Sequence, residues 1–192
     1  MASETTNTRA LFAAIFALIV AVSFGVLEPK AAVIGCLLGG IMLAIAISDA
    51  QRLIVPDILS LPAIPAGLLL NPLLSVSEPM HVTALVHLAA AILALGLFLC
   101  IRYAYKAWRG REGLGLGDVK LAAAAGAWTG LDGFSWVILL AAVLALCFSF
   151  FSAARNAGRL RATMAVPFGA FLAPSIWLIW SALQAGLILE PL

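Results

Sequence analysis

The sequence predicts an all-α fold, a polytopic membrane bundle of about seven helices (six to seven), in a single domain spanning residues 1–192. Three observations carry this prediction. Of the 192 residues, 64% are hydrophobic and only 10% charged, with a mean hydropathy of +1.13. A soluble globular chain carries roughly 45–50% apolar and about 25% charged residues. Apolar runs recur at 11–27, 31–48, 58–73, 82–101, 119–131, 135–153 and 165–187. The basic residues between those runs alternate in number from one loop to the next. No water-soluble domain of this size could hide so much apolar surface, because much of a small fold's surface stays wet. A secreted disulfide scaffold, a nucleic-acid-binding domain and an ordinary cytosolic enzyme are thereby excluded. The net charge of +2 argues for no polyanionic partner.

Each run has its own reading. The first, with Arg9 ahead of it, superficially resembles a signal peptide, but the further runs favour an uncleaved anchor. The second ends in Ile47-Ser48-Asp49-Ala50-Gln51-Arg52. The third is short and contains Pro62 and Pro65, which predicts a kink or a start from a membrane-level loop. His81 and His87 fall near the outer end of the fourth and are expected to be satisfied helix-end histidines. The fifth is short, and six spans result if one short run is re-entrant. Backbone at membrane depth must be helical or buried against protein. Cys36, Cys100 and Cys147 lie singly inside apolar runs with no C-x-x-C pair, so they are expected to pack as small hydrophobes.

Orientation follows from charge. With a cytoplasmic N-terminus, the inside segments hold Arg9, Arg52, Arg102, Lys106, Arg109, Arg111, Lys120, Arg155, Arg159 and Arg161, and the outside only Lys30. This positive-inside bias holds for a seven-span alternation without forcing any loop. Glu4, Glu28, Glu78, Asp132 and Glu190 fall in terminal or outside segments, and Glu112 is expected to be solvated among arginines. Three acids remain, Asp49, Asp57 and Asp118, all at the cytoplasmic ends of spans. Ionisable groups there are costly and need a reason.

Asp57 follows Pro56, which breaks the helix, and capping the next helix is favoured over catalysis for it. Asp49 closes a helix, where it cannot cap that helix and the dipole disfavours a negative charge, so the bland alternative is a salt bridge to Arg52. Asp118 lies in Gly113-Leu114-Gly115-Leu116-Gly117-Asp118-Val119-Lys120, where alternate glycines open a helix. The spacing is not that of a nucleotide loop, and no strand precedes it. Two carboxylates brought together in a poorly hydrated site share one proton and can activate water and protonate a leaving amine. No serine elbow or H-e-x-x-H motif offers a rival.

Three blocks resemble the prepilin peptidases, or type IV leader peptidases, membrane aspartic proteases of G-x-G-D type. They are Asp49 with Pro56-Asp57-Ile58-Leu59-Ser60-Leu61-Pro62, then Gly115-Leu116-Gly117-Asp118-Val119-Lys120-Leu121 continuing to Gly130, then Val166-Pro167-Phe168-Gly169-Ala170-Phe171-Leu172-Ala173. The resemblance implies a hydrolase with Asp49 and Asp118 as its catalytic pair, no cofactor and no metal. Pro56, Asp57, Gly115, Gly117 and Lys120 would be supporting motif residues. Gly115 and Gly117 could admit an extended peptide or ease a turn. Lys120 could meet a substrate acid, though snorkelling to the interface is favoured.

The implied substrate is a prepilin or pseudopilin whose apolar helix lies in the bilayer, cut after the leader's last glycine at the cytoplasmic face of a bacterial inner membrane. Pilus or secretion assembly machinery would be the wider partner, and no nucleic acid is implied. Long members add an N-terminal segment with paired C-x-x-C motifs and methylate the new N-terminus. Here those cysteines are absent, so peptidase activity alone is expected, as in the short forms of Flp or tight-adherence pili. The third block also reads Gly-Ala where Gly-Pro is usual. A transporter using aspartates for cations or protons is the competing class, expected to show midplane carboxylates and inverted repeats. A presenilin-like protease shares G-x-G-D, but its first aspartate normally follows a tyrosine, unlike Ser48-Asp49.

Overall fold

Helices account for every regular element among the described residues, which in this computed structural model are 2–75, 78–155 and 167–188, with side chains over 10–75, 78–154 and 167–188. Arg159, Arg161, Val166 and Glu190, and the side chains of Glu4, Arg9 and Arg155, lie outside them. The order is α1 (Ala2–Val26), α2 (Pro29–Arg52), α3 (Asp57–Leu70), a 3-10 turn (Asn71–Leu73), α4 (Met80–Arg109), α5 (Leu116–Arg155) and α6 (Phe168–Gln184).

Two of the expected runs lie in one element. At about 1.5 Å per residue, the 40 residues of α5 would extend about 60 Å, twice the hydrocarbon thickness. Gly130 interrupts it with φ 66° and ψ −172°, a conformation essentially confined to glycine. The chain reverses there. Gly126 abuts the Ala90 backbone of α4, Gly130 faces His87 one turn nearer the start of α4, and then Phe134 meets Phe98 with ring centroids 6.2 Å apart. Further on, Phe148 packs on Phe171 in the first turn of α6, at 5.4 Å. The fifth and sixth runs are thus antiparallel limbs of α5, and seven apolar helical segments result among the described residues.

The first limb is the axis of the bundle. Every residue from Leu121 to Gly130 is buried, in contact with α3, α4 and α6 together. A helix enclosed on all sides needs small side chains, which Ala122-Ala123-Ala124-Ala125-Gly126 supplies. α3 turns its small face, Ser60, Ala63 and Gly67, toward this limb, where a Cβ on Gly67 would lie 2.9 Å from the Ala127 carbonyl. Pro62 and Pro65 stay within α3, on its exposed side, so the short span is a helix. α2 lies between α1 and α6, with Gly39 admitting both Ile19 and Trp177.

The outward faces are apolar. Ile92, Leu146 and Phe150 are 59%, 73% and 71% exposed, a surface suited to lipid and not to water. α2, α4 and α5 are each long and apolar enough to cross a membrane, and the remaining helices are shorter apolar ones. The protein is a multi-pass membrane bundle. Cys36 is only half-buried, and Cys100 and Cys147 are exposed. The latter two sit on the lipid-facing surface, where a small apolar side chain loses nothing.

The break at Gly130 strips the end of the first limb of its helical partners. Asn71 replaces them. Its amide donates to the Ala127 and Trp128 carbonyls at 3.0 and 2.9 Å, and its own carbonyl accepts from Trp180 Nε1 at 2.8 Å. His87 Nδ1 lies 2.9 Å from the Ala127 carbonyl, in keeping with a satisfied histidine. Asn71→Ala leaves the Trp128 carbonyl and Trp180 Nε1 without a partner and is expected to lower unfolding free energy by about 1–3 kcal/mol, read by denaturation in detergent.

Candidate active site

Asp49, Asp57 and Asp118 gather at one end of the bundle, as the sequence led us to expect. α2 ends because Leu53 adopts the left-handed conformation at φ 54° and donates its N–H to the Asp49 carbonyl at 2.8 Å. The chain then runs extended through Ile54 and Val55, since a residue before proline avoids helical geometry. Asp49 is left in the last turn of α2, only 5% exposed.

Its carboxylate closes a different helix. Asp49 Oδ2 accepts the Ala170 N–H at 2.8 Å, and the Gly169 N–H also bonds to this carboxyl group. These are first-turn amides of α6, whose N-cap, Pro167, has no side-chain oxygen to offer, and the Ala170 N–H is shared with the Pro167 carbonyl at 3.2 Å. The positive end of the α6 dipole offsets the unfavourable C-terminal dipole of α2. The Arg52 salt bridge does not form: the ion pairs among the described residues are Arg102–Glu112, Lys106–Glu112 and Lys120–Asp57. Gly169 is required by space, because a Cβ there would lie 3.0 Å from Asp49 Cγ.

Asp118 is held by its own helix. It occupies the third position of α5 and accepts the N–H of Gly115, the carboxylate half of a capping box. It is half-buried beside exposed Gly115 and Leu116, so this end of the site opens outward. Asp118 and Asp49 lie close enough to interact electrostatically.

Three charged residues, Asp57, Lys120 and Glu112, depart from expectation, Lys120 by pairing with an acid of this chain and not snorkelling to the interface. Asp57 does not act as the N-cap of α3; Pro56 holds that position, and the Asp57 carboxylate takes Lys120 Nζ at 2.6 Å. Lys120 is thus committed to Asp57 and ties α3 to α5, because both groups emerge at the same height on adjoining helices. Glu112 is not simply solvated either. Arg102, 8% exposed, pairs with it at 2.7 Å and also donates to the Leu114 carbonyl, while Lys106 reaches it at 3.2 Å. The loop leading to Asp118 is anchored to α4 in this way.

Arg102, Asn71 and the Gly169 and Ala170 amides escaped the sequence reading. Only the last had a visible signal: Pro167-Phe168-Gly169 opens a helix with no Ser, Thr, Asp or Asn to cap it. The Gly-Ala departure also gains a meaning, since a proline in place of Ala170 would have no N–H for Asp49.

Two outcomes follow. Ala170→Pro is tolerated by the first turn of α6 but deletes one charge-assisted hydrogen bond, and is expected to cost about 1.5–3 kcal/mol of stability by detergent denaturation. Hydrogen bonding to Lys106, then to Arg102, holds the Glu112 carboxyl below its usual range. A depressed folded value means that the contribution is present at neutral pH and is lost on acidification through that value. Amide exchange in residues 110–115 is therefore expected to quicken as pH falls below the ordinary glutamate range, after correction for intrinsic rates, and Glu112→Gln to show the faster exchange already at neutral pH.

Comparison with known proteins agrees with this architecture. Residues 36–150 match the type IV leader peptidase family. A prepilin leader peptidase/N-methyltransferase of Burkholderia pseudomallei (strain 1026b) is 40% identical over 135 residues, covering 69% of this chain and 40% of that protein. The one from Dickeya chrysanthemi is 39% identical over 120 residues, 62% of this chain and 41% of its own. A third, from Aeromonas salmonicida (strain A449), is 33% identical over 147 residues, 75% and 48%. The chain thus spans less than half the length of these curated relatives. No solved structure matches it. The matched stretch holds both aspartates and most of the two helices that carry them, and the chain belongs to the type IV leader peptidase family.

Proposed function

We propose that this chain is a membrane aspartic endopeptidase that removes the leader from prepilins or pseudopilins, those of Flp or tight-adherence pili among them. The observation that supports it most is the holding of Asp49 and Asp118 by helix N-terminal amides at the same end of the bundle. Two neighbouring carboxyls that share one proton divide the work of hydrolysis. The ionised one takes a proton from water as its oxygen attacks the scissile carbonyl. The protonated one hydrogen-bonds that carbonyl, and a proton then passes to the departing amine. Asp49 and Asp118 need no serine, thiol or metal for this.

The substrate is an apolar helix that crosses the bilayer, with its scissile bond where the helix leaves the lipid. A site at helix ends suits such a bond. Arg52, Arg109 and Arg111 crowd the same end as the aspartates, which supports a cytoplasmic face under the positive-inside rule. A transporter would favour carboxylates near mid-membrane, and the position at one end speaks for the peptidase reading.

Asparagine is a good capping residue, so Asp49→Asn leaves an acceptor for the α6 amides while removing the acid chemistry. In the full chain co-expressed with a prepilin, Asp49→Asn and Asp118→Asn are each expected to abolish leader removal on a gel. Asp57→Asn loses one exposed ion pair and is expected to keep most activity. A chelator is expected to leave cleavage unchanged. Cleavage by the Asp118→Asn protein would overturn the assignment.

A further inference from the structure

One buried side chain stands between the first turn of α5, which bears Asp118, and the first turn of α6, which donates to Asp49. Val55 is 8% exposed and lies in the extended link between α2 and α3. A Cβ on Gly117, the residue before Asp118, would come within 2.6 Å of Val55 Cβ. A Cβ on Gly169 would lie 2.9 Å from Val55 Cγ2 and 3.0 Å from Asp49 Oδ2. Two glycines, one preceding an aspartate and one donating to the other, therefore press on the same valine from two helices. Both lack a side chain where that contact needs the room.

The valine is itself held on both flanks. Ser48 Oγ, next to Asp49 on α2, donates to the Ile54 carbonyl at 2.9 Å. Asp57, just beyond Pro56, is tied to Lys120 of α5 at 2.6 Å. Pro56 restricts Val55 to extended backbone, and a β-branched side chain has few rotamers to choose from. A stiff wedge on a fixed link sets a distance; a mobile one would not.

We propose that Val55 is the spacer that fixes the separation of Asp49 and Asp118, a positioning residue for the hydrolysis proposed above, on which this inference rests. Water has to sit between two carboxyls at a defined spacing, and misplacement by about 1 Å can cost about a hundredfold in rate. Val55 sets that spacing by holding the N-terminal turn of α5 off that of α6. It touches neither water nor peptide in the reaction.

Leader cleavage by the full chain in detergent micelles, with kcat and KM measured separately on a prepilin substrate, tests this. Val55→Ala is expected to lower kcat about tenfold with KM within about twofold, whereas Val55→Thr, of the same outline, stays within about threefold of the parent. Gly117→Ala is expected to lose at least about tenfold, and Val55→Gly in the same chain to recover part of that loss by removing the colliding Cβ. Val55→Ala with parental kcat in a folded protein overturns the proposal, as does a Gly117→Ala defect that Val55→Gly leaves untouched. Should Val55→Ala fail to fold, the Val55→Thr and Gly117→Ala measurements decide alone. Asp49→Asn and Asp118→Asn are run alongside. Cleavage by either removes the peptidase mechanism itself, while their inactivity beside a normal Val55→Ala removes only the spacer.

Discussion

A helix end buried in a lipid-embedded bundle needs a partner for its orphan amides or carbonyls, because little water reaches them. This constraint organises the molecule. At one end, α6 begins without a capping side chain of its own, and the carboxylate of Asp49 reaches in from α2 to serve. At the other, the first limb of α5 stops at Gly130, and Asn71 and His87 meet the carbonyls set loose. Asp118 does the same for its own helix through the Gly115 amide. The acids proposed for catalysis are thus also the groups that close helices.

That double use has a geometric consequence. A carboxylate fixed by backbone amides has little freedom to swing, so the site inherits the rigidity of the helices it joins. The first limb of α5 links both ends, with Asp118 at its start and the Asn71 cluster at its finish. α3 is fastened along it by three contacts of different kinds: the Lys120–Asp57 ion pair, the Gly67 approach, and Trp128 Nε1 donating to the Ala63 carbonyl at 2.8 Å. Alanine and glycine along that limb are the condition for such close packing. Asp118 therefore stands on the best-buried element, and Asp49 on α2, which packs against α3 and α6, both in contact with that element.

The division between α4 and the loop before α5 is similar in kind. A buried arginine, Arg102, binds both Glu112 and the Leu114 carbonyl, so the glycine-rich approach to Asp118 is fixed from outside. The three alternate glycines do not make a loose segment. Gly117 yields space to Val55, and Gly115 supplies the amide that Asp118 accepts. Glycine is used there for closeness.

Hydropathy and charge alone determined that the chain is a helical membrane bundle of six to seven spans, since the cost of exposing apolar surface to water acts residue by residue. The same reading isolated Asp49, Asp57 and Asp118, because an acid beside hydrocarbon is conspicuous in any arrangement. Partners were beyond its reach. That Asp49 caps α6, 121 residues away, that Lys120 takes Asp57, and that two runs fold back as limbs of α5 depend on which helices pack side by side. Asn71 gave no local sign at all, because its task is set by a break that lies 59 residues further along the chain. Interactions between distant segments follow from three-dimensional packing of small residues, and only the tertiary structure could decide them.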